Sequence, residues 1–481
     1  MSLVLFVVLP LLFGFTTPIL SKFGKNSIAV TSTLMQLFLL VLAFSLIDTQ
    51  PYIEIISIAP PLGISFVLNK VSLFFVMLFI FLMLTFSLYY LSYRKTDAYK
   101  NETKFFILLN MLLASAIGLV LSSDIFNIYV FFEIAGISAY ILTAYKKTPL
   151  ALEAGIKYLL TGSFASIFLV FAIILIYLNI GSLNLAVIAQ NFESLPYNLK
   201  AIISILFLVG FGFKVEIFPF NFWVSDVYEG STALVNSLFS SIVVKAYLFV
   251  FFHILYLFLP SGEFSTFLIY LGAISMLIAE IVALKQTNLK RVFAYSSLGQ
   301  VALIFTAFAL QNKDAIEGAL FVVLTHSIAK MSIFLALTTI EKNYKSLDIE
   351  VLKGLNSPFL RVVIVIAMLS LLGIPVFAGF IGKFLVLKSF AAEQIFSIVS
   401  IIIIASLLEA IYYFKLIGFM FEKSAKKDNI KIGLTHKIIF LLLTFLILVI
   451  GIMPFVISNF LLDSASVMLD FTSYIDMLVK G

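Results

Sequence analysis

Lys214, Lys245, Lys330 and Lys383 each sit inside a stretch of chain that otherwise reads as hydrocarbon-soluble helix, in a sequence that is 62% hydrophobic. A lysine at the centre of a membrane helix costs roughly 2.5–3.5 kcal/mol on insertion scales, so an ionisable group kept at that depth points to function. Burial disfavours the charged form of an amine, which lets it exchange a proton near neutrality. Glu133 and His326 lie in similar apolar stretches, and His326 and Lys330 are four residues apart, on one face of a helix. These six groups together suggest a charge pathway. Any one of them alone could be a static ion pair or hydrogen bond that fixes helix packing. Glu280 and Glu409 could join the axis, or could equally serve as local partners for a nearby lysine such as Lys415. Glu216, two residues from Lys214, reads as pointing elsewhere, a packing or interface charge. Asp124, Asp226 and Glu229 fall near helix ends and read as exposed, capping or subunit-contact residues, and Lys157 as a lipid-headgroup or interface residue.

The elements that must hold these groups are membrane helices. Mean hydropathy is +1.15 and only 12% of residues are charged, so the chain cannot present an ordinary polar surface. Apolar runs of about 20 residues, the length needed to cross a bilayer, recur from end to end. The expected fold is an all-α polytopic membrane protein with about 14 spans, centred near residues 11, 37, 81, 113, 134, 166, 208, 244, 275, 300, 328, 373, 408 and 447. The first run lacks a basic leader region and a small-residue cleavage site, so it reads as a retained helix. The absence of cysteine excludes disulfides, thiolate zinc sites and Cys-ligated iron–sulfur clusters. No cofactor or metal site is therefore expected in this chain. The net charge of +6 resides in inter-helix loops and does not indicate nucleic-acid binding.

Those loops are unequal. One alternate set carries Lys22, Lys25, Arg94, Lys95, Lys100, Lys104, Lys146, Lys147, Lys285, Lys290, Arg291, Lys342, Lys345, Lys353, Arg361, Lys423, Lys426, Lys427, Lys431 and Lys437. The other carries Lys70, Lys200, Lys313, Lys388 and, at the C-terminus, Lys480. This positive-inside asymmetry predicts a multi-pass protein with both termini outside and the basic loops in the cytoplasm, and the high Lys, Ile and Phe content with no cysteine suits the cell membrane of a prokaryote.

Two helices read as broken. The seventh runs GFGFKVEIFPFNFW, with Pro219 after Lys214, and the twelfth runs LLGIPVFAGFIGKF, with Gly373, Pro375, Gly379 and Gly382 before Lys383. Proline removes a backbone donor and clashes with the preceding turn. Opened backbone at membrane depth survives only where it is packed in protein or lines a wet cavity. The breaks lie five spans apart, as in two inverted repeats built around a transport site. The expected organisation is three helices over residues 1–104, a first five-helix repeat over 105–256, a second, inverted one over 264–422, and a C-terminal helix in 423–481.

Several segments resemble the proton-conducting antiporter-like subunits: FFEIAGISAY around Glu133, EAGIKYLLTGSFAS, GFGFKVEIFPFNFWVSDVYEGS around Lys214, VVKAYLF around Lys245, LKRVFAYSSLGQ, THSIAKMSIF around His326 and GIPVFAGFIGKF around Lys383. That family includes the large membrane subunits of complex I, the A and D subunits of Mrp antiporters, and their counterparts in membrane-bound hydrogenases and sulfane-sulfur reductases. The resemblance covers roughly residues 60–460. It implies that Glu133 partners Lys214 as an electrostatic switch, that Lys245 connects the halves, that His326 and Lys330 carry a central relay, and that Lys383 exchanges protons with the outside. The chain departs from the family at Asn221, Ser225 and Thr232, where histidine and prolines are usual, and at Asn69, where aspartate is common. Asparagine cannot titrate, so entry through a histidine at 221 is excluded.

The resemblance implies a subunit that moves H⁺, Na⁺ or both within a multisubunit complex related to complex I. A membrane-bound hydrogenase or sulfane-sulfur reductase is the favoured parent, with other membrane subunits, including small Mrp-type ones and a hydrogenase-like redox arm, as partners. The chain ends too soon after its last span for the long lateral helix of the largest complex I subunit. The D subunit of an Mrp-type Na⁺/H⁺ antiporter is one alternative, and an ion-inactive scaffold is another. Redox chemistry belongs to partners in all of these.

Overall fold

The computed structural model describes the chain apart from residues 1, 25, 57, 59–62, 94–101, 259–261, 423–428 and 481 and the side chain of Lys480. Of the basic loop residues, Lys25, Arg94, Lys95, Lys100, Lys423, Lys426 and Lys427 lie outside the described residues.

The chain begins with α1 (Val4–Leu20), α2 (Ser27–Phe44) and α3 (Lys70–Tyr93). A first group follows: α4 (Glu102–Leu121), α5 (Ile125–Ala144), α6 (Pro149–Ile180), the short α7 (Leu185–Phe192), α8 (Tyr197–Val215), α9 (Val224–Gly230), α10 (Ala233–Leu238) and α11 (Val244–Phe258). The second group is α12 (Glu263–Ala283), α13 (Leu289–Ala309), α14 (Lys313–Tyr344), α15 (Pro358–Leu372), α16 (Ala378–Ala392) and α17 (Phe396–Phe421). The chain closes with α18 (Leu434–Ile452), α19 (Phe455–Leu469) and α20 (Phe471–Lys480). Thirteen spans among the described residues are long and apolar enough to cross a membrane, or fourteen if the bent pair at Phe455–Leu469 and Phe471–Val479 counts as one.

The twelfth expected span opens at its break into two shorter helices, α15 and α16, because Gly373, in the left-handed region at φ 82°, ends the first and Pro375 follows at once. Two other features were not in the sequence reading. The segment after α18 forms two more helices, and α19 packs against α3 and α14. Before α3, Tyr52–Ile55 also pairs antiparallel with Ser65–Leu68, a small two-stranded sheet among otherwise helical described residues. Asn69 caps α3: its Oδ1 accepts from Ser72 N at 2.8 Å while Ser72 Oγ accepts from Asn69 N at 2.9 Å.

The two helix groups echo one another. The third helix of each, α6 and α14, has 32 residues. Isolated backbone bridges join Asp124 to Asn184 in one group and Asn288 to Asp348 in the other. Asp124 and Asn288 N-cap the second helix of their groups through their side chains. Each group also contains a break. In the first, α8 ends at Val215, Glu216 turns left-handed at φ 64°, and Pro219 precedes α9.

Burial separates a lipid face from a protein core. On α6, Ile156, Leu160, Phe164, Phe171 and Leu178 are exposed at helical spacing, as expected of a stripe that meets lipid. By contrast, α14 is buried from Ala315 to Ile340 without interruption, and α11 and α13 are nearly as enclosed. A polar group on α14 therefore faces protein, and its hydrogen bonds must be found there.

Candidate functional site

The charged residues of the sequence reading lie along the interior. Lys214 closes the last turn of α8, where a cation complements the helix dipole. Its Nζ lies in an aromatic cage, about 5 Å from the ring centres of Phe132, Tyr140, Tyr158 and Tyr247, and it donates to Tyr140 Oη at 2.5 Å. A cage of this kind holds a cation without neutralising it. Gly136 leaves room for it, since a Cβ there would meet Lys214 Nζ at 2.9 Å.

Glu133 and Lys214, the expected switch pair, are not in direct contact. Glu133, half-buried on α5, accepts from Ser166 Oγ of α6, and neither of its oxygens comes within 4.0 Å of Lys214 Nζ. The two charges still act on one another at longer range, with Tyr140 occupying the direct contact position. Tyr140 lies seven residues after Glu133, on the same face of α5, and that spacing was the available signal for it.

Lys245 opens the second group of contacts. Immediately before it, Phe239–Val243 forms a π-helical turn, a distortion often found at functional sites. The Ser240 carbonyl accepts from Lys245 Nζ, and the same Nζ lies 2.7 Å from His326 Nδ1 on α14. The turn also locks onto α14 reciprocally: Ser241 Oγ donates to the Ser327 carbonyl at 2.9 Å, and Ser327 Oγ to the Ser241 carbonyl at 3.0 Å. His326 Nε2 is buried without a hydrogen-bond partner among the described residues. One turn along α14, Lys330 Nζ donates to the Phe293 carbonyl at 2.9 Å and to Ser296 Oγ at 2.6 Å, and Ser296 meets Tyr413 Oη at 2.5 Å. Ser296 belongs to the AYSS segment, whose place in this relay the sequence reading did not assign.

The far end is a buried ion pair. Lys383 Nζ lies 2.7 Å from Glu409 Oε2 and donates to the Leu372 carbonyl at 3.2 Å, so a lysine of α16 caps the broken end of α15. Gln300 Nε2 holds both oxygens of Glu409, at 2.9 and 3.0 Å. Glu280, on α12, accepts from Tyr412 Oη at 2.8 Å, and a small polar cavity lies among Glu280, Gln300, Lys383, Ser406 and Glu409. Glu409 thus partners Lys383 rather than Lys415, whose Nζ stands over the Phe419 ring.

The remaining polar residues serve the ends of the elements. Asp124 caps α5, as its position suggested. Arg291 bridges Asp226 at 2.9 Å and Glu229 at 2.7 Å, tying the start of α13 to α9 just past the first break. Lys157 pairs with Glu153 and Asp226, both at 2.8 Å, so its partners are carboxylates of this chain. His253 stacks on Phe249 and His436 on Tyr89, away from the axis. Glu216, expected as a packing or interface charge, is buried at the end of α8.

Comparison with known proteins agrees with this fold. A family profile described as NADH:quinone oxidoreductase/Mrp antiporter, transmembrane, matches residues 122–409. NADH-quinone oxidoreductase subunit N of Flavobacterium psychrophilum is 31% identical over 356 residues, 73% of this chain and 78% of the relative. Among solved structures, a chain of the archaeal membrane-bound sulfane sulfur reductase superposes with a TM-score of 0.94 at 31% identity, covering 99% of both chains. A chain of the Mrp complex from a Dietzia species superposes at 0.89 and 20% identity, covering 99% of this chain and 98% of its own.

Proposed function

The chain belongs to the NADH:quinone oxidoreductase/Mrp antiporter transmembrane family and is an antiporter-like membrane subunit of the complex I-related type; from the buried charges that join its two broken helices, we propose that it translocates H⁺, or H⁺ together with Na⁺. The observation that carries this reading is the Lys245–His326 contact of 2.7 Å, which links the first helix group to the wholly buried α14. On one side of it stand Lys214 and Glu133. On the other, Lys330, Ser296 and Tyr413 lead towards Glu409 and Lys383. Lysines can pass protons along such a row when waters bridge the intervals. Glu280 would share the last cavity with Lys383 and Glu409.

The parent complex, in this reading, is a sulfane-sulfur reductase or a membrane-bound hydrogenase. The 31% identity to the sulfane sulfur reductase chain, over nearly its full length, supports it above an Mrp antiporter. Partners would be further antiporter-like and small membrane subunits and a redox arm. The basic loops would face the cytoplasm of a prokaryotic cell and both termini the outside. A purely structural scaffold is disfavoured, because it has no use for buried lysines set in one row. The test is the intact complex in sealed vesicles carrying Lys330→Ala or Lys383→Ala. Each should collapse the ion gradient while redox turnover slows but persists, and an unchanged gradient in both would overturn the reading.

A further inference from the structure

Glu216 lies where the first broken helix opens, and its environment is unusual for a carboxylate. It is the residue that ends α8, at φ 64°, a left-handed position usually taken by glycine or asparagine. The C-terminal end of a helix carries partial negative charge, which repels a carboxylate. The side chain is nonetheless buried, and its Oε2 has no hydrogen-bond partner among the described residues. A buried acceptor left unmet is costly, so a group kept there is held for something it does. Its surroundings show what that is. The charge that acts on it most is Lys245 of α11, which in turn contacts His326 of α14. Tyr158 of α6 and Tyr228 of α9 also feel its charge, and the Tyr158 ring is shared with Lys214, 5.5 Å from that Nζ. The titratable groups that Glu216 acts on are thus Lys245, Tyr158 and Tyr228, and Lys214 stands two residues before it, in the last turn of α8.

We infer that Glu216 is a proton-exchanging member of the axis, filling the interval between the caged Lys214 and Lys245. This rests on the ion-translocation reading above. An N–H bond of the Lys214 ammonium breaks, and the proton passes, through water where the gap requires it, to a Glu216 oxygen, leaving a neutral amine. The new O–H bond then breaks toward the neutral amine of Lys245, which becomes the ammonium, and the carboxylate is restored. One proton moves and nothing is oxidised. When Glu216 is charged it also balances Lys245, which has no carboxylate in direct contact among the described residues.

The test uses the intact complex in sealed vesicles, with proton movement followed by a pH-sensitive dye and assembly by native gel. Glu216→Gln keeps the shape but cannot titrate, so proton movement should fall by about 100-fold, the scale of a lost acid–base group. Glu216→Asp should restore most of it, and redox turnover should persist in both. Wild-type proton movement in Glu216→Gln, with Lys245→Ala inactive in parallel, would overturn the relay and leave the parent reading standing. Normal movement in Lys245→Ala would sink the parent reading itself. Failure of both Glu216 variants to assemble would overturn the relay too, by making Glu216 a structural group.

Discussion

Lys383 Nζ and Glu409 Oε2 stand 2.7 Å apart in a site closed to solvent, and Lys383 at the same time caps the last carbonyl of α15. The pair therefore ties the second break to α17. Removing one partner of such a pair strands a buried charge at a cost of about 3–5 kcal/mol. Glu409→Ala and Lys383→Ala should each lower the thermal stability of the subunit within the complex, and the double variant should recover part of the loss. Thermal unfolding of the four forms measures this. Simple additivity of the two losses would show that the contact carries no coupling.

At the other end, the cage around Lys214 sets a different expectation. Glu133→Ala and Lys214→Ala should each abolish pumping in a complex that still assembles, and the double variant should be no worse than either single, because the two charges act as a unit. Near-normal pumping in both singles would rule out the switch. Since Tyr140 occupies the contact position, Tyr140→Phe should also impair pumping, and Gly136→Ala should do so by pushing its methyl against Lys214 Nζ. Wild-type pumping in Gly136→Ala would show that the cage tolerates a displaced lysine.

Much of this was legible in the sequence, for physical reasons that can be named. A span announces itself by an apolar run, and a break by proline or clustered glycine, so Pro219 and Pro375 marked both openings. The six ionisable residues within apolar runs stood out because lipid-soluble sequence tolerates them poorly. What stayed hidden was the partner of each. Glu133 was expected on Lys214, but a tyrosine seven residues further along α5 reaches that amine first. Glu409 was weighed against Lys415 in sequence proximity, whereas the fold delivers Lys383 from another helix. Glu216 reads from sequence as a packing or interface charge, and only the fold shows it buried where α8 ends at Val215. Ser296, Tyr413 and Gln300 carry no charge, so composition gave no signal for them.

The clamp between α9 and α13 is testable as a mechanical part. Arg291 holds Asp226, Glu229 and Ser225, while Lys290 donates to the Glu229 and Ser231 carbonyls at the end of α9. Hydrogen bonds to charged groups contribute about 1.5–3 kcal/mol, and exposed ion pairs less. Arg291→Ala should therefore destabilise the subunit by about 2 kcal/mol, and should reduce pumping by loosening the segment after the first break. Arg291→Lys should recover only part, because an ammonium that keeps the two carboxylates, both held by Nη1, cannot also reach Ser225 and Gln286 as Nη2 and Nε of the guanidinium do. Full recovery with lysine, read by thermal unfolding and pumping together, would show that only the charge matters.

The last expectation concerns energy. The chain has no cysteine, no glycine-rich phosphate loop and only three histidines, of which His253 and His436 stack on aromatic rings away from His326. Moving an ion uphill through the Lys214-to-Lys383 row requires free energy that these side chains cannot generate, since each transfer between them returns the same proton. The drive must reach the row as a change of charge or of shape imposed by a partner or by a second ion's gradient. The purified subunit in liposomes should therefore show no hydrogenase, sulfur-reducing or quinone-reducing turnover and no uphill pumping. An imposed gradient should still produce downhill leakage that Lys245→Ala suppresses. Redox turnover by the isolated chain would contradict the assignment outright. Leakage indifferent to Lys245 would place the conducting path elsewhere in the fold and revive the scaffold alternative.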